Sequence, residues 1–302
     1  MNSNQIDCKL IYEQIREQIL TDLKILPYRP MLTIYEGEDN YGSKMYMKLK
    51  QKTAEECGID TQIVRLATST GGMNIWDFLD DENNIGAMSP YAILQLPATR
   101  MQKRIFEYIV DMNDVYDVDN FNFLEYAQES RRYTYEHIMN EIPATAKGVL
   151  YILSKELGNL SGKKIAVVGC RSKTVGKFIS WVLTYLNATV SLYHSKSIIR
   201  DGEFENYDAV ISCVGSPRLI SQRHFGSKTG CICIDIGVSR VDGKTVGDFS
   251  EDIREHQRFT PYVNGMGLLT RIFLMQTVTF RALYNYANDL SSIAVGVDGF
   301  ID

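Results

Sequence analysis

The sequence predicts an α/β protein of two α/β domains, the second a Rossmann-like domain built on a parallel sheet. Three observations predict it. Short apolar runs alternate with helix-period segments along nearly the whole chain. Several of those runs are apolar throughout, which marks strands covered on both faces. The run Lys163–Val168 closes on Gly169, crosses a polar loop and opens a helix at Gly176, the order of a phosphate-binding turn.

The elements follow in order. The first segment reads as an amphipathic helix with Ile11, Ile15, Ile19 and Leu20 on one face. A strand at Met31–Tyr35 precedes a helix at Ser43–Cys57, which Gly58 stops. Next come a strand at Thr61–Leu66, a helix near Asn74–Asp81, a strand at Tyr91–Leu96 and a helix at Arg100–Asp111. A less regular stretch runs to Asn140, and the helix Ala144–Leu157 leads into the second half. There the strands are Lys163–Val168, Thr189–His194, Ala209–Val214 and Cys231–Ile236, with a helix at Gly176–Leu186. A helix near 268–288 is expected to return to the first domain. The expected domains are therefore 1–143, completed by 272–302, and 144–271. The apolar tail Ser291–Asp302 packs on the body or on a partner.

Apolar residues make up 45% of the 302 residues and charged residues 23%, enough for one sizeable core per domain. The net charge of −5 argues against nucleic acid as a partner, since phosphate neutralisation needs a clustered basic face. A small anion needs only a local pocket of donors. No apolar run is long enough to span a bilayer. The N-terminus lacks the basic region and apolar stretch of a signal peptide, so a cytoplasmic protein without a membrane partner is expected. The six cysteines are scattered without a C-x-x-C pair and read as free thiols, Cys231 and Cys233 on one face of a core strand. The four histidines lack metal-ligand spacing, and no metal is expected.

The loop Gly169–Gly176 is not spaced as G-x-G-x-x-G, so by itself it fits a structural turn as well as a dinucleotide site. The next strand ends in His194-Ser195-Lys196-Ser197, with no acid. An acid there would serve the ribose hydroxyl of NAD; its replacement favours the 2′-phosphate of NADP over NAD. Arg171 could reach that phosphate, or Arg171 and Lys196 could be solvated surface charges. Ser43, Tyr46 and Lys50, at i, i+3 and i+7, share one helix face. An amine desolvated beside a phenol can trade protons near neutrality, although the lysine-rich stretch 44–52 could equally be a solvated face. Gln95, at the end of a buried strand, is either satisfied structurally or faces a cleft. Asp117 and Asp119 point the same way if their segment is extended; they could bind an amino-pyrimidine edge or belong to a surface turn.

Together these fragments resemble the FolD family, the methylenetetrahydrofolate dehydrogenase/cyclohydrolases, in unbroken order from about residue 31 to about residue 285. The residues that carry the resemblance begin with Ser43-x-x-Tyr46-x-x-x-Lys50, Leu-Gln95-Leu-Pro and Asp117-Val-Asp119. They continue with Gly169-x-Arg-Ser-Lys-x-Val-Gly176, His194-Ser-Lys-Ser197, Val214-Gly-x-Pro217 and Ile234-Asp-x-Gly237. Val246-Gly-Asp248, Thr260-Pro261 and Gly265-x-Gly267-x-x-Thr270 complete the set.

The resemblance implies two α/β domains flanking a cleft, usually in a homodimer. It implies oxidation of 5,10-methylenetetrahydrofolate by hydride transfer to NADP and hydrolysis of the methenyl product to 10-formyltetrahydrofolate. Lys50 would be the acid/base of hydrolysis, Gln95 would hold its amine, and Tyr46 would stack on the folate. Asp119 would bind the pterin end, with Ser43, Gly265 and Thr270 also at the substrate. Arg171 and Ser195 would contact the 2′-phosphate. Gly169, Ser172, Val175, Gly176, His194, Gly215, Pro217 and Gly237 would complete the cofactor site. The late loop departs from the family: Val263 and Asn264 replace Pro-Gly, and Leu268 replaces Pro. Asn120 replaces a glycine, Tyr116 a lysine, and Ala144 and Ala146 a cysteine and a proline. Loss of proline and glycine changes what backbone a loop can adopt. A dehydrogenase with another substrate, a monofunctional dehydrogenase and a non-catalytic NADP- or folate-binding relative are the alternative readings.

Overall fold

The apolar runs assemble into two parallel sheets. The computed structural model describes residues 4–38, 41–68, 89–112, 115–120, 135–172 and 175–298. The chain divides into two compact units. One takes Met1–Gln14 with Phe121–Phe273, the other Ile15–Asn120 with Leu274–Asp302.

The second of these units carries β1 (Met31–Glu36), β2 (Asp60–Arg65), β3 (Tyr91–Gln95) and β4 (Tyr116–Asp117) in the order β2-β1-β3-β4. All neighbours are parallel, and Glu36 registers with Gln95 on one side and Arg65 on the other. Helix α2 (Tyr41–Glu56) follows β1, and α3 (Arg100–Met112) follows β3. Leu32, Ile34, Tyr35, Ile93, Ile105 and Ile109 are buried, as the near-continuous apolar strands require. A reciprocal cap starts α3: Gln102 N–H donates to Thr99 Oγ1 at 3.1 Å and Thr99 N–H to Gln102 Oε1 at 3.0 Å. The buried Gln102 amide then donates to the carbonyls of Gly37 and Leu66, tying the ends of β1 and β2 to α3.

The other unit holds α5 (Ala144–Leu157), β5 (Lys164–Val168), α6 (Gly176–Tyr185), β6 (Thr189–Tyr193), β7 (Ala209–Ser212), β8 (Ile232–Asp235) and β11 (Arg258–Phe259). The sheet order is β11-β8-β7-β5-β6, all parallel. Strands β9 (Ser239–Val241) and β10 (Lys244–Val246) form a separate antiparallel pair. The strand order reverses between β5 and β7, and ligands of open α/β sheets bind outside the carboxyl ends of strands at such a point. Cys231 and Cys233 are fully buried, as expected for core thiols.

Four expectations need adjusting. In α1 (Cys8–Asp22), Ile11, Ile15 and Ile19 are buried but Leu20 is 39% exposed; one residue beyond Ile19 turns the helix by about 100° and leaves the buried stripe. The stretch before Asn140 contains β4 and the helix α4 (Tyr135–Glu141). A two-residue strand has too few side chains to show a period; β4 is defined by its pairing with Tyr91 and Ala92. Helix α7 (Met266–Asp298) runs well past 288, because no proline interrupts it. Asp117 and Asp119 do not lie in an extended run: Asp119 N–H donates to Asp117 Oδ1 at 3.0 Å, and Asn120 turns at φ +33°. The short side chain of Asp117 makes its own turn, a habit of that residue type. The expected helix near Asn74–Asp81 lies outside the described residues.

Candidate active site and dinucleotide pocket

The carboxyl end of β1 is where the first site is built. At Gly37 a side chain would collide with the carbonyls of Gln95 and Pro97, so only glycine lets the chain turn against the end of β3. Glu38 N–H donates to Pro97 O at 2.7 Å, and the Leu96–Pro97 bond is cis. Gln95 is thereby held with its amide NH2 on Leu96 O at 2.7 Å. Its remaining oxygen faces α2. Lys50, about two and a half turns into a lysine-rich helix, is 5% exposed, unlike a solvated-face lysine. Its ammonium donates to Gln95 Oε1 at 2.9 Å and lies 5.3 Å from the ring centroid of Tyr46, within cation–π range.

Burial pushes the Lys50 pKa down from 10.5 to about 8, while the charges of Asp119 and Asp117 pull it back up. Those two carboxylates thus stand close enough to Lys50 to act on it. Ser43 is buried on the same helix. The structure therefore brings Tyr46, Lys50, Gln95 and Asp119 together within one unit, with Ser43 two turns earlier on the helix that carries Lys50. An amine with a pKa near neutrality beside an acceptor and two carboxylates can take and return a proton.

The second site opens at the reversal point of the other sheet. A pocket of about 580 Å³ is lined by residues from the ends of β5, β6 and β7, including Gly169, Arg171, Ser172, His194, Ser195 and Val214. Gly169 has φ +93°, and a Cβ there would lie 2.9 Å from Cys213 O. A Cβ on Gly176 would overlap Gly169 O. Both glycines let α6 start hard against the end of β5. Val175 is the residue before α6, and Ile179 N–H donates to its carbonyl at 3.0 Å.

Gly215 and Gly237 meet through a residue that sequence reasoning did not single out for the site. The buried Asp248 carboxylate accepts from Ser212 Oγ at 2.7 Å, from Val214 N at 2.9 Å, from Gly215 N at 3.2 Å and from Ser216 N at 2.8 Å. A side chain on Gly237 would collide with that carboxylate. Asp235 supports it in turn, accepting the N–H of Asp248 at 3.1 Å and of Phe249 at 3.2 Å. The pocket wall at Val214 and Ser216 is thus shaped from behind by one carboxylate. Gly176, Gly215, Pro217 and Gly237 are not among the residues that line the pocket.

Gly265 and Thr270 belong to the same unit as the pocket. A Cβ on Gly265 would overlap Pro261 O. Asn264 holds φ +56°, a left-handed conformation that asparagine tolerates better than most residues. Asn264 therefore accepts the backbone geometry that a glycine there would give. Thr270 Oγ1 donates to Met266 O at 2.9 Å and lies 3.1 Å from Thr145 Oγ1.

Comparison with known proteins decides the family. The tetrahydrofolate dehydrogenase/cyclohydrolase catalytic domain matches residues 6–117, and the NAD(P)-binding domain of the same family matches residues 143–286. The bifunctional protein FolD of Macrococcus caseolyticus is 30% identical over 288 residues, covering 93% of this chain and 98% of that protein. The chain belongs to the tetrahydrofolate dehydrogenase/cyclohydrolase family. Among solved structures of that family, the Campylobacter jejuni bifunctional FolD enzyme superposes with a TM-score of 0.75 at 25% identity, covering 93% of this chain and 99% of that one. Trypanosoma brucei FolD, solved with NADP and an inhibitor, shares the fold with a TM-score of 0.73 at 22% identity over 93% of this chain and 97% of that one. The family's NAD(P)-binding match spans the 580 Å³ pocket. Its Gly169–Gly176 turn and its cationic lining suit a dinucleotide with phosphates.

The Val246-Gly-Asp248 motif does not by itself mark Asp248 as a shaper of this pocket. Nor does sequence reasoning single out Tyr193, Ser216, Leu219, Arg223 and His224 in the lining. Position after a glycine was the available signal for Asp248; nothing in the local pattern marks Arg223. No described helix is long and apolar enough to cross a membrane.

Proposed function

We propose that this chain oxidises 5,10-methylenetetrahydrofolate to 5,10-methenyltetrahydrofolate with NADP as acceptor, and hydrolyses the methenyl product to 10-formyltetrahydrofolate. The observation that carries this reading is the buried Lys50–Gln95 pair, 2.9 Å apart, with Tyr46 and the Asp117/Asp119 turn around it.

In hydrolysis, water adds to the methenyl carbon. Lys50 as the free amine takes the proton that water loses, then returns it to the departing ring nitrogen as the C–N bond breaks, while the second O–H proton of the adduct leaves to solvent as the formyl C=O forms. Gln95 accepts from the ammonium and fixes its direction. Tyr46 offers its ring as a face for the flat pterin and aryl system. Asp119 provides acceptors for the amino-pyrimidine edge, and Ser43, Gly265 and Thr270 are the further residues assigned to the folate. The dinucleotide, when bound, supplies the two-electron acceptor for the oxidation. Gly169, Ser172, Val175 and Gly176 form its phosphate turn; His194, Gly215, Pro217 and Gly237 shape the pocket around it. Arg171 and Ser195 take the 2′-phosphate.

The preference for NADP over NAD rests on charge: none of the described lining residues is acidic, and Arg171 is cationic. The working domains of this reading are 1–143 with 272–302 for folate and 144–271 for NADP, in a cytoplasmic homodimer. The turn conformation of Asn264 and the crowding at Gly265 support a late loop that still serves folate.

The test is a spectrophotometric assay of the purified chain with methylenetetrahydrofolate and NADP or NAD in parallel. NADPH and the methenyl product should both appear, faster with NADP. Absence of turnover with either dinucleotide sinks the reading.

A further inference from the structure

The expected 2′-phosphate contacts come from the loop after β5 and the end of β6. The pocket has a second arginine from a different element. Arg223 lies in the short 3-10 helix Gln222–Phe225 and lines the same pocket as Arg171, Ser195 and Ser197. Arg171 and Arg223 are the two fully charged cations among its described lining residues, and no acidic side chain is among them. Burial, then the charge of Arg223, pushes the pKa of the neighbouring His224 down from its ordinary value.

The backbone of Arg223 is held in place. Ser221 N–H donates to His224 Nδ1 at 3.0 Å, and Gly202 N–H donates to Arg223 O at 2.9 Å. Gln222 N–H donates to Asp252 Oδ2 at 3.2 Å, and Gln257 Nε2 to Gln222 Oε1 at 3.0 Å. The guanidinium itself has a loose partner: Asp201 Oδ1 is 3.6 Å from its Nε, with both side chains more than half exposed. An exposed pair of this kind is worth little, whereas a guanidinium meeting a phosphate dianion makes charge-assisted, often bidentate contacts. A fixed backbone with a lightly committed head group suits a residue that turns to an incoming anion.

We infer that Arg223 is a specificity-determining residue that, with Arg171, selects the 2′-phosphorylated dinucleotide. This rests on the NADP reading above. Asp201 orients the guanidinium before the ligand arrives and releases it on binding.

Steady-state oxidation by the whole enzyme, with NADP and with NAD, tests this in the wild type, Arg223→Gln and Arg223→Lys. Calorimetric titration with adenosine 2′,5′-bisphosphate and with adenosine 5′-monophosphate gives a readout independent of turnover. For Arg223→Gln, the NADP KM and the bisphosphate Kd should rise about tenfold, the size of one charge-assisted contact. The NAD KM and the monophosphate Kd should stay within about twofold, and Arg223→Lys should recover part of the loss. Unchanged NADP values, or parallel losses for both dinucleotides, overturn the inference; the parallel case would put Arg223 on the shared part of the ligand. If the wild type prefers NAD, the NADP reading itself fails, and the inference with it. If the wild type prefers NADP and Arg223→Gln keeps that preference, the inference alone fails.

Discussion

The Lys50 ammonium and the Gln95 amide oxygen meet at 2.9 Å in a position shielded from solvent. The two residues come from a helix and from the strand at the sheet's reversal point, and Gly37 is the reason they can approach: its missing side chain leaves room for the end of β3.

Removal of the amine should end hydrolysis and spare the fold. Lys50→Met is expected to lower cyclohydrolase turnover by about 10²-fold or more, the usual share of a positioned acid/base. Decay of methenyltetrahydrofolate absorbance measures it, and unchanged decay would falsify the role.

The same lysine predicts a pH dependence of stability. Its pKa falls from 10.5 unfolded to about 8 folded, so between those values the unfolded chain binds the extra proton. Stability therefore rises as pH climbs from about 8 to 10.5, because the cost of burying the charged form is relieved. Urea melts across that range should show the rise in the wild type and its loss in Lys50→Met. The hydrolysis rate should show an ionisation near 8 as well.

Gln95 sets where that ionisation falls. In Gln95→Leu the ammonium loses its acceptor, which disfavours the charged form. The midpoint of the hydrolysis pH profile should move down; Gln95→Glu, which supplies a negative charge, should move it up. A midpoint that ignores both changes would remove Gln95 from the account.

Asp248 should separate the two activities. In Asp248→Asn an amide NH2 faces N–H donors of the Val214–Ser216 loop, where a carboxylate oxygen had accepted. Loss of such charge-assisted bonds costs about 1–3 kcal/mol. The dehydrogenase KM for the dinucleotide should rise about tenfold, while hydrolysis at Lys50 keeps its rate. Equal losses in both activities would point to general unfolding instead.

Tyr35 offers a stability test. Its ring is buried against Phe106, with centroids 5.7 Å apart, and its hydroxyl has no hydrogen-bond partner among the described residues. Burial accordingly pushes its pKa up to about 12. Tyr35→Phe keeps the ring contact and removes an unsatisfied polar group, so stability should increase by about 1 kcal/mol. A lower urea midpoint for the variant would show that the hydroxyl is satisfied after all.

The sequence by itself determined the class of fold, most strand and helix positions and the family motifs. Continuous apolar strands and glycine-closed turns are local signals, readable from neighbours in the chain. The fate of Lys50 was not local. Its lysine-rich surroundings fit a solvated face, and only packing of α2 over the sheet shows it buried on Gln95. The turn of Asp117 and Asp119 likewise depended on hydrogen bonds that spacing does not reveal. Arg223 lines the dinucleotide pocket, and Asp248 shapes its wall from behind, from segments far from the glycine turn in sequence. Strand order brings them there, because parallel crossovers gather the carboxyl ends of distant strands at one edge. What tertiary structure decided was therefore which polar groups lose water and which charges share a pocket.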